Sequence, residues 1–389
     1  MISALFTIKK IKYWKPRATI FINSNHTCTV YQMCGGNASK RCPRIWDWDR
    51  MTEYIRSKAP LRIGLAGGGT DVDPYASERG GYVFNTTINK YAYCTLTPVN
   101  SKEITVESHY YGRYKASLKN GPLKLDGNMD LIKAVTNYFE LDHGFRMLIH
   151  SDVPAGSGLG GSSTMMVAMI SAIANWIERD MTKDEIATLS YHLEREVIGL
   201  KGGRQDQYAA SYGGFNFVKI DKNGVSVDPV SIDDRIISEL QCRSVLCYTK
   251  ISRDSADIIS TQIESSKKGS NIEALDRSKD LAQNIGESLK LGDIEKSGKL
   301  LDEAWVYKKQ FSNNISNKHI DKLYNVAKNS GAIGGKVSGA GGGGFMYFIC
   351  RYDKKPQVAE ALKKAGAEIT DFMFDPEGVR YWRANDHKT

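Results

Sequence analysis

The chain has 389 residues, a formal net charge of +9 from 53 Lys and Arg against 44 Asp and Glu, and 41% hydrophobic residues. The charge excess is local: residues 1–50 hold nine basic and two acidic side chains, leaving 44 basic against 42 acidic over the rest. That near-neutral balance gives no case for nucleic-acid binding, and the absence of any run of about 18 apolar residues argues against a membrane span.

The length suits two compact domains. Met1–Lys10 has too short an apolar stretch for a secretory signal, and the 7 cysteines form no C-x-x-C pair. Free buried thiols in a cytoplasmic protein are the expectation. Residues 1–50 carry Trp14, Trp46 and Trp48 without sustained periodicity, and His26, Cys28 and Cys34 match no metal-ligand spacing. The clear patterning begins at Met51, so the segment 1–50 is expected to be a non-native or disordered extension and Met51 the natural start.

From Tyr54 to Leu65 alternation predicts a strand interrupted at Pro60. It ends in Gly67-Gly68-Gly69-Thr70-Asp71-Val72-Asp73, where the backbone can approach a ligand and Thr70, Asp71 and Asp73 offer acceptors. An Asx-type turn capping the next element is the alternative. Residues 83–98 and 104–114 read as strands and 131–139 as a helix.

The strand Phe145–His150 then leads into Pro154-Ala155-Gly156-Ser157-Gly158-Leu159-Gly160-Gly161-Ser162-Ser163, and an apolar helix follows over 164–177. Strand, glycine-rich turn and helix gather backbone N–H groups and the positive end of a helix dipole, which suits a phosphate. Two alternatives fail. A dinucleotide site needs a strand-borne acid about 20 residues on, and a Walker A loop needs a lysine after the glycines.

Thr182-x-x-Glu185 is a capping box opening a helix to about Ile198, with Glu194 and Glu196 near its end. Asp206 falls at the start of a short helix ended by Gly213-Gly214, where a plain N-cap is the bland reading. A domain boundary is expected between Val218 and Ser244. Beyond it, 244–250 reads as a strand; 254–267, 271–291, 293–311 and 320–329 read as helices. A glycine-rich stretch follows over 331–344, then a strand 345–350, a helix 356–365 and a closing strand 369–374.

Three glycine-rich stretches in this order resemble the GHMP kinases: Ala59–Ile63 with Gly67–Asp71, then Pro154–Ser163, then Gly339–Gly344. Within that superfamily LRIGLAGGGTDVDPY, PAGSGLGGSST and EREVIGLKGGRQDQYAA are similar to the D-glycero-D-manno-heptose 7-phosphate kinases. The resemblance implies an α+β, two-domain fold: a ribosomal-protein-S5-like domain over 51–235 and a ferredoxin-like domain with extra helices over 236–389. It implies a cytoplasmic monomer or homodimer that phosphorylates the anomeric hydroxyl of a sugar phosphate with ATP and Mg²⁺, supplying nucleotide-activated heptose for surface polysaccharides. Fucose, galactose and galacturonate are the competing sugars, and a sugar or nucleotide sensor on the same fold is the non-catalytic alternative.

Roles follow by position. Pro154, Gly156, Ser157, Gly158, Leu159, Gly160, Gly161, Ser162 and Ser163 would wrap the ATP phosphates. The family loop often has a serine where Gly161 stands, so metal ligation would rest on Ser162 with Glu194. Asp206 matches the catalytic aspartate, which would accept the proton of the sugar hydroxyl, and Arg62 the cation beside it. Gly69, Thr70, Asp71 and Asp73 would meet the sugar. Lys201 and Arg204, with Arg253, are candidates for its phosphate, while Gly339, Gly341 and Gly342 would close over the site.

Overall fold

A computed structural model of the chain describes residues 18–22, 28–32, 51–110, 112–252 and 255–387. The expectations about residues 1–17 and 33–50, and about His26 and Arg253, lie outside the described residues. Strands β1 (Ala18–Ile22) and β2 (Cys28–Gln32) pair antiparallel within a small unit, Met1–Thr52 with His387–Thr389. Glu53–Asp386 forms the other unit.

The remaining strands, in chain order, are β3 (Met51–Ala66), β4 (Gly81–Pro98), β5 (Glu103–Ser108), β6 (Gly112–Ser117), β7 (Phe145–Ser151), β8 (Phe215–Asp221), β9 (Gly224–Pro229), β10 (Ser244–Tyr248), β11 (Ala332–Val337), β12 (Phe345–Cys350), β13 (Glu368–Ile369) and β14 (Arg380–His387). The helices are α1 (Tyr75–Arg79), α2 (Asp130–Tyr138), α3 (Gly161–Trp176), α4 (Lys183–Tyr191), α5 (Gln205–Tyr212), α6 (Asp234–Arg243), α7 (Ser255–Lys267), α8 (Ile272–Lys290), α9 (Ile294–Lys308), α10 (Lys318–Ser330) and α11 (Lys355–Lys364).

Two sheets organise the large unit. One runs β14-β3-β4-β7-β5-β6, with β8 on β4 and β9 on β8; the other is β11-β12-β10-β13. The long strand β4 joins two halves of the first sheet: Gly81–Thr86 pairs with β8 and Ala92–Pro98 with β7. The expected interruption at Pro60 takes the form of a bulge within one strand. Pro60 stays in β3 and the register slips between Pro60 and Leu61, a bulge that absorbs the donor proline lacks. Helix α3 is buried almost all round, as its unbroken apolar run requires, and packs on β4 and β7. One apolar cluster joins Leu61, Ile63, Phe84 and Phe217 of the first sheet to Leu246, Leu281, Ile285 and Leu301. The two sheets therefore meet through a shared core.

Several elements depart from expectation. The stretch 218–244 holds the end of β8, strand β9 and helix α6, and the change from one sheet to the other falls between Pro229 and Ser244. The glycine-rich stretch from 331 begins with a strand, β11, buried along its whole length. The closing strand shrinks to Glu368–Ile369 with a single bridge from Phe374 to Ile88, and the chain instead returns to the first sheet through β14. Cys94, Cys247 and Cys350 are buried free thiols, whereas Cys242 is exposed.

Candidate active site

The three glycine-rich stretches converge on one polar cleft of about 540 Å³. Helix α3 starts at Gly161, earlier than its apolar run suggested, so Gly161, Ser162 and Ser163 form its first turn. Its N-cap, Gly160, is left-handed with φ +80° and offers no side-chain cap, so this helix end is available to an anion. The third stretch supports the loop by backbone contact. A Cβ on Gly158 would lie 2.5 Å from the Ser338 carbonyl oxygen, and one on Gly339 would lie 2.5 Å from that of Gly158. Phe345 N–H donates to the Ser157 carbonyl at 3.0 Å. Only glycine allows so close an approach.

Arg62 and Asp206, 144 residues apart, form the centre of the cleft. Arg62 Nε and Nη2 each donate to Asp206 Oδ1 at 2.7 Å, and Nη1 donates to the Gly158 carbonyl at 2.6 Å and to Ser338 Oγ at 3.3 Å. The arginine is buried and ties the carboxylate to the glycine loop. Asp206 Oδ2 faces Gly160, where an added Cβ would come within 3.1 Å of it.

Beside this pair lies an oxygen cluster. Ser162 Oγ donates to Glu194 Oε1 at 2.9 Å and Ser163 Oγ donates to Oε2 at 2.6 Å. Glu194 lies on a π-helical turn, His192–Val197, where the expected helix departs from α geometry. The wider turn sets Glu194 inward and buried, while Glu196 stays exposed and bonds His192 at 2.7 Å. Gln207, unremarked in the sequence, is buried and donates to Glu194 Oε2 at 2.7 Å and Ser163 Oγ at 3.0 Å.

The first glycine-rich stretch does two jobs. Gly69 and Asp71 line the cleft, but Asp71 also caps α5 from a distance: Oδ2 accepts the N–H groups of Arg204 at 3.0 Å and Gln205 at 3.1 Å. Thr70 is buried in its own turn, donating to the Gly67 carbonyl at 2.7 Å. Asp73 pairs with Arg204 at 3.0 Å, and neither lines the cleft. Lys201 lines it and donates to Ser260 Oγ at 3.1 Å. Gly341 and Gly342 instead pack on Ile315, away from the cleft lining.

Of the loop residues, Gly156, Ser157, Gly158, Gly160, Gly161, Ser162 and Ser163 line the polar cleft, and Leu159 is buried in the core. Pro154 lines a second cavity of about 390 Å³, walled by Ile132, Ile149, Met165, Met169 and Ile198. The two cavities share Ala155, Gly156, Gly161, Ser162 and Leu200, so the glycine loop stands between a more polar chamber and a more apolar one.

Two lysines were not legible. Lys336 is buried and donates to the Gly64 carbonyl at 2.6 Å, and burial, with Lys308 and Arg62 nearby, pulls its pKa well below the usual value. Lys308, the last residue of α9, lines the cleft, and burial, reinforced by Arg62 and opposed by Asp71, lowers its pKa to about 8.

Comparison with known proteins was consistent across sequence and structure. The family models for the GHMP kinases N terminal domain and the GHMP kinases C terminal match residues 129–214 and 280–368. The chain is 41% identical over 340 residues to D-glycero-alpha-D-manno-heptose 7-phosphate kinase of Campylobacter jejuni, covering 85% of this chain and 99% of that one. It is 26% identical over 345 residues to the bifunctional fucokinase/GDP-fucose pyrophosphorylase of Arabidopsis thaliana, covering 83% of this chain and 32% of that protein. A crystal structure of a D-glycero-D-manno-heptose 1-phosphate kinase from Bacteroides thetaiotaomicron superposes with a TM-score of 0.72 at 35% identity, over 84% of this chain and 98% of that one.

Proposed function

Because this chain belongs to the GHMP kinases, we propose that its cleft moves the γ-phosphoryl group of ATP onto the anomeric hydroxyl of D-glycero-D-manno-heptose 7-phosphate, giving the 1,7-bisphosphate. That it is an ATP-dependent phosphotransferase with a hydroxyl acceptor follows from the family. The observation that carries the proposal is the Arg62–Asp206 pair, held at 2.7 Å in the cleft into which the uncapped end of α3 opens.

Phosphoryl transfer asks mainly for positioning and charge stabilisation. The N–H groups of the first turn of α3 would take phosphate oxygens, and the apolar cavity beyond the loop suits the adenine. Asp206 would accept the proton of the sugar hydroxyl at Oδ2, since Oδ1 is engaged by Arg62. Arg62 grips both the base and the Gly158 carbonyl, so base and phosphate loop keep one separation. Acceptor hydroxyls would lie along Gly69, Asp71 and Gly339, with the substrate's phosphate toward Lys201. We keep the domain division at residue 235, with β14 returning to the first domain's sheet.

The Ser162 hydroxyl and the Glu194 carboxylate are oxygen ligands of the kind Mg²⁺ takes, buried Gln207 Oε1 in the same cluster has no partner, and Arg195 lies beside them, 3.5 Å from Glu194 Oε1. Ser162 and Glu194 would hold the ion, which when bound neutralises phosphate charge.

The test is steady-state turnover with MgATP against heptose 7-phosphate, fucose, galactose, galacturonate and mevalonate. The highest kcat/KM on heptose 7-phosphate supports the proposal. Preference for another sugar replaces the substrate, and tight ATP binding without turnover replaces catalysis by sensing.

A further inference from the structure

Lys308 stands out in the cleft because no oxygen of the described residues binds its ammonium. Its residue is 5% exposed, yet its ammonium makes no hydrogen bond or ion pair among the described residues, and the centre of the Phe311 ring lies 5.7 Å from it. Lys336, buried nearby, satisfies itself on the Gly64 carbonyl. The Lys308 side chain lines the cleft, so acceptors that enter the cleft can meet its ammonium.

The surroundings say what kind. The charged groups acting on Lys308 are Arg62, Asp71 and Lys336. Asp71 does not neutralise it by contact: Oδ1 takes the Gly69 N–H at 2.9 Å, and Oδ2 takes Gln205 Nε2 at 3.2 Å besides the N–H groups of Arg204 and Gln205. Lys308 lines the same cleft as Arg62, Asp71 and Asp206, so it shares the chamber of the reacting pair.

We propose that Lys308 is a substrate-contacting residue, its ammonium donating to the sugar hydroxyl adjacent to the one that is phosphorylated, so that the cleft selects a vicinal diol. The inference rests on the kinase reading. The pH response has the matching sign: Lys308 loses its proton as pH rises through about 8, and with it the charge on the donor.

The test is a cycle between Lys308→Met and the acceptor lacking the 2-hydroxyl. Loss of either partner is expected to lower kcat/KM by about 10- to 150-fold, the range for a hydrogen bond to a charged group, and loss of both to cost no more than one. ATP affinity and the thermal midpoint at pH 7 stay at or above those of the parent, and the fall in kcat/KM above about pH 8 disappears. Lys308→Gln serves as the second variant. The assignment is overturned if kcat/KM of K308M stays within about threefold of the parent, if the two losses multiply, or if ATP affinity falls in step. Should the parent enzyme fail on heptose 7-phosphate, the substrate reading fails alone. The same cycle is then run with whichever sugar turns over and its 2-deoxy analogue, or, if none does, on acceptor dissociation constants.

Discussion

Asp71 Oδ2 accepts the Gln205 N–H at 3.1 Å, so the turn after β3 caps the helix that carries Asp206. The residue after it in the cap, Asp206, is thereby fixed by a carboxylate far away in sequence. The close fit shows at Gly203, where an added Cβ would fall 1.9 Å from that same oxygen. Asp71→Ala is expected to cost about 1–2 kcal/mol of stability, as loss of a helix cap does, and to lower kcat while ATP affinity holds. Urea melts and nucleotide titration check both halves.

Asp206→Asn keeps the shape and removes the proton acceptor. Turnover is expected to fall by at least about a hundredfold with ATP affinity unchanged. Equal turnover in parent and variant, measured by ADP release, would remove Asp206 from the chemistry.

Glu194→Gln should raise the Mg²⁺ concentration needed for half-maximal ATP binding by about tenfold or more. Titrating Mg²⁺ at fixed ATP measures this. Gln207→Leu, which strips the Nε2 donor from Glu194 at 2.7 Å, should act in the same direction more weakly.

The legible part of this site is the part written in short segments. Glycine runs, the capping box at Thr182 and the apolar run of α3 each carry their own local reason. The Arg62–Asp206 pairing was readable only through family resemblance, since no local rule joins residues 144 apart. Lys308 was hidden because a lysine ending an amphipathic helix ordinarily faces water, whereas here α9 packs closely on β11 and its last residue lines the cleft. A Cβ on Gly334 would lie 2.1 Å from the Gly298 carbonyl. Strand β14 was missed for a similar reason: RYWRANDH lacks alternation and is a strand because β3 offers it an edge.

Lys308 also leaves a mark on stability. Its folded pKa of about 8 lies below the ordinary lysine value of 10.5, so the unfolded chain binds more protons between those pH values. Stability should therefore rise with pH across that window, by about 1.4 kcal/mol per pH unit for each such proton. Lys308→Met should lose that share of the slope in urea melts from pH 8 to pH 10. Parallel curves for parent and variant would contradict it.

The most direct measurement is ³¹P NMR of the product formed from heptose 7-phosphate, ATP and Mg²⁺. A new phosphate signal coupled to the anomeric proton, appearing in step with ADP and absent with Asp206→Asn, is the predicted result. ADP without that signal, or a phosphate on any other carbon, would contradict transfer to the anomeric hydroxyl.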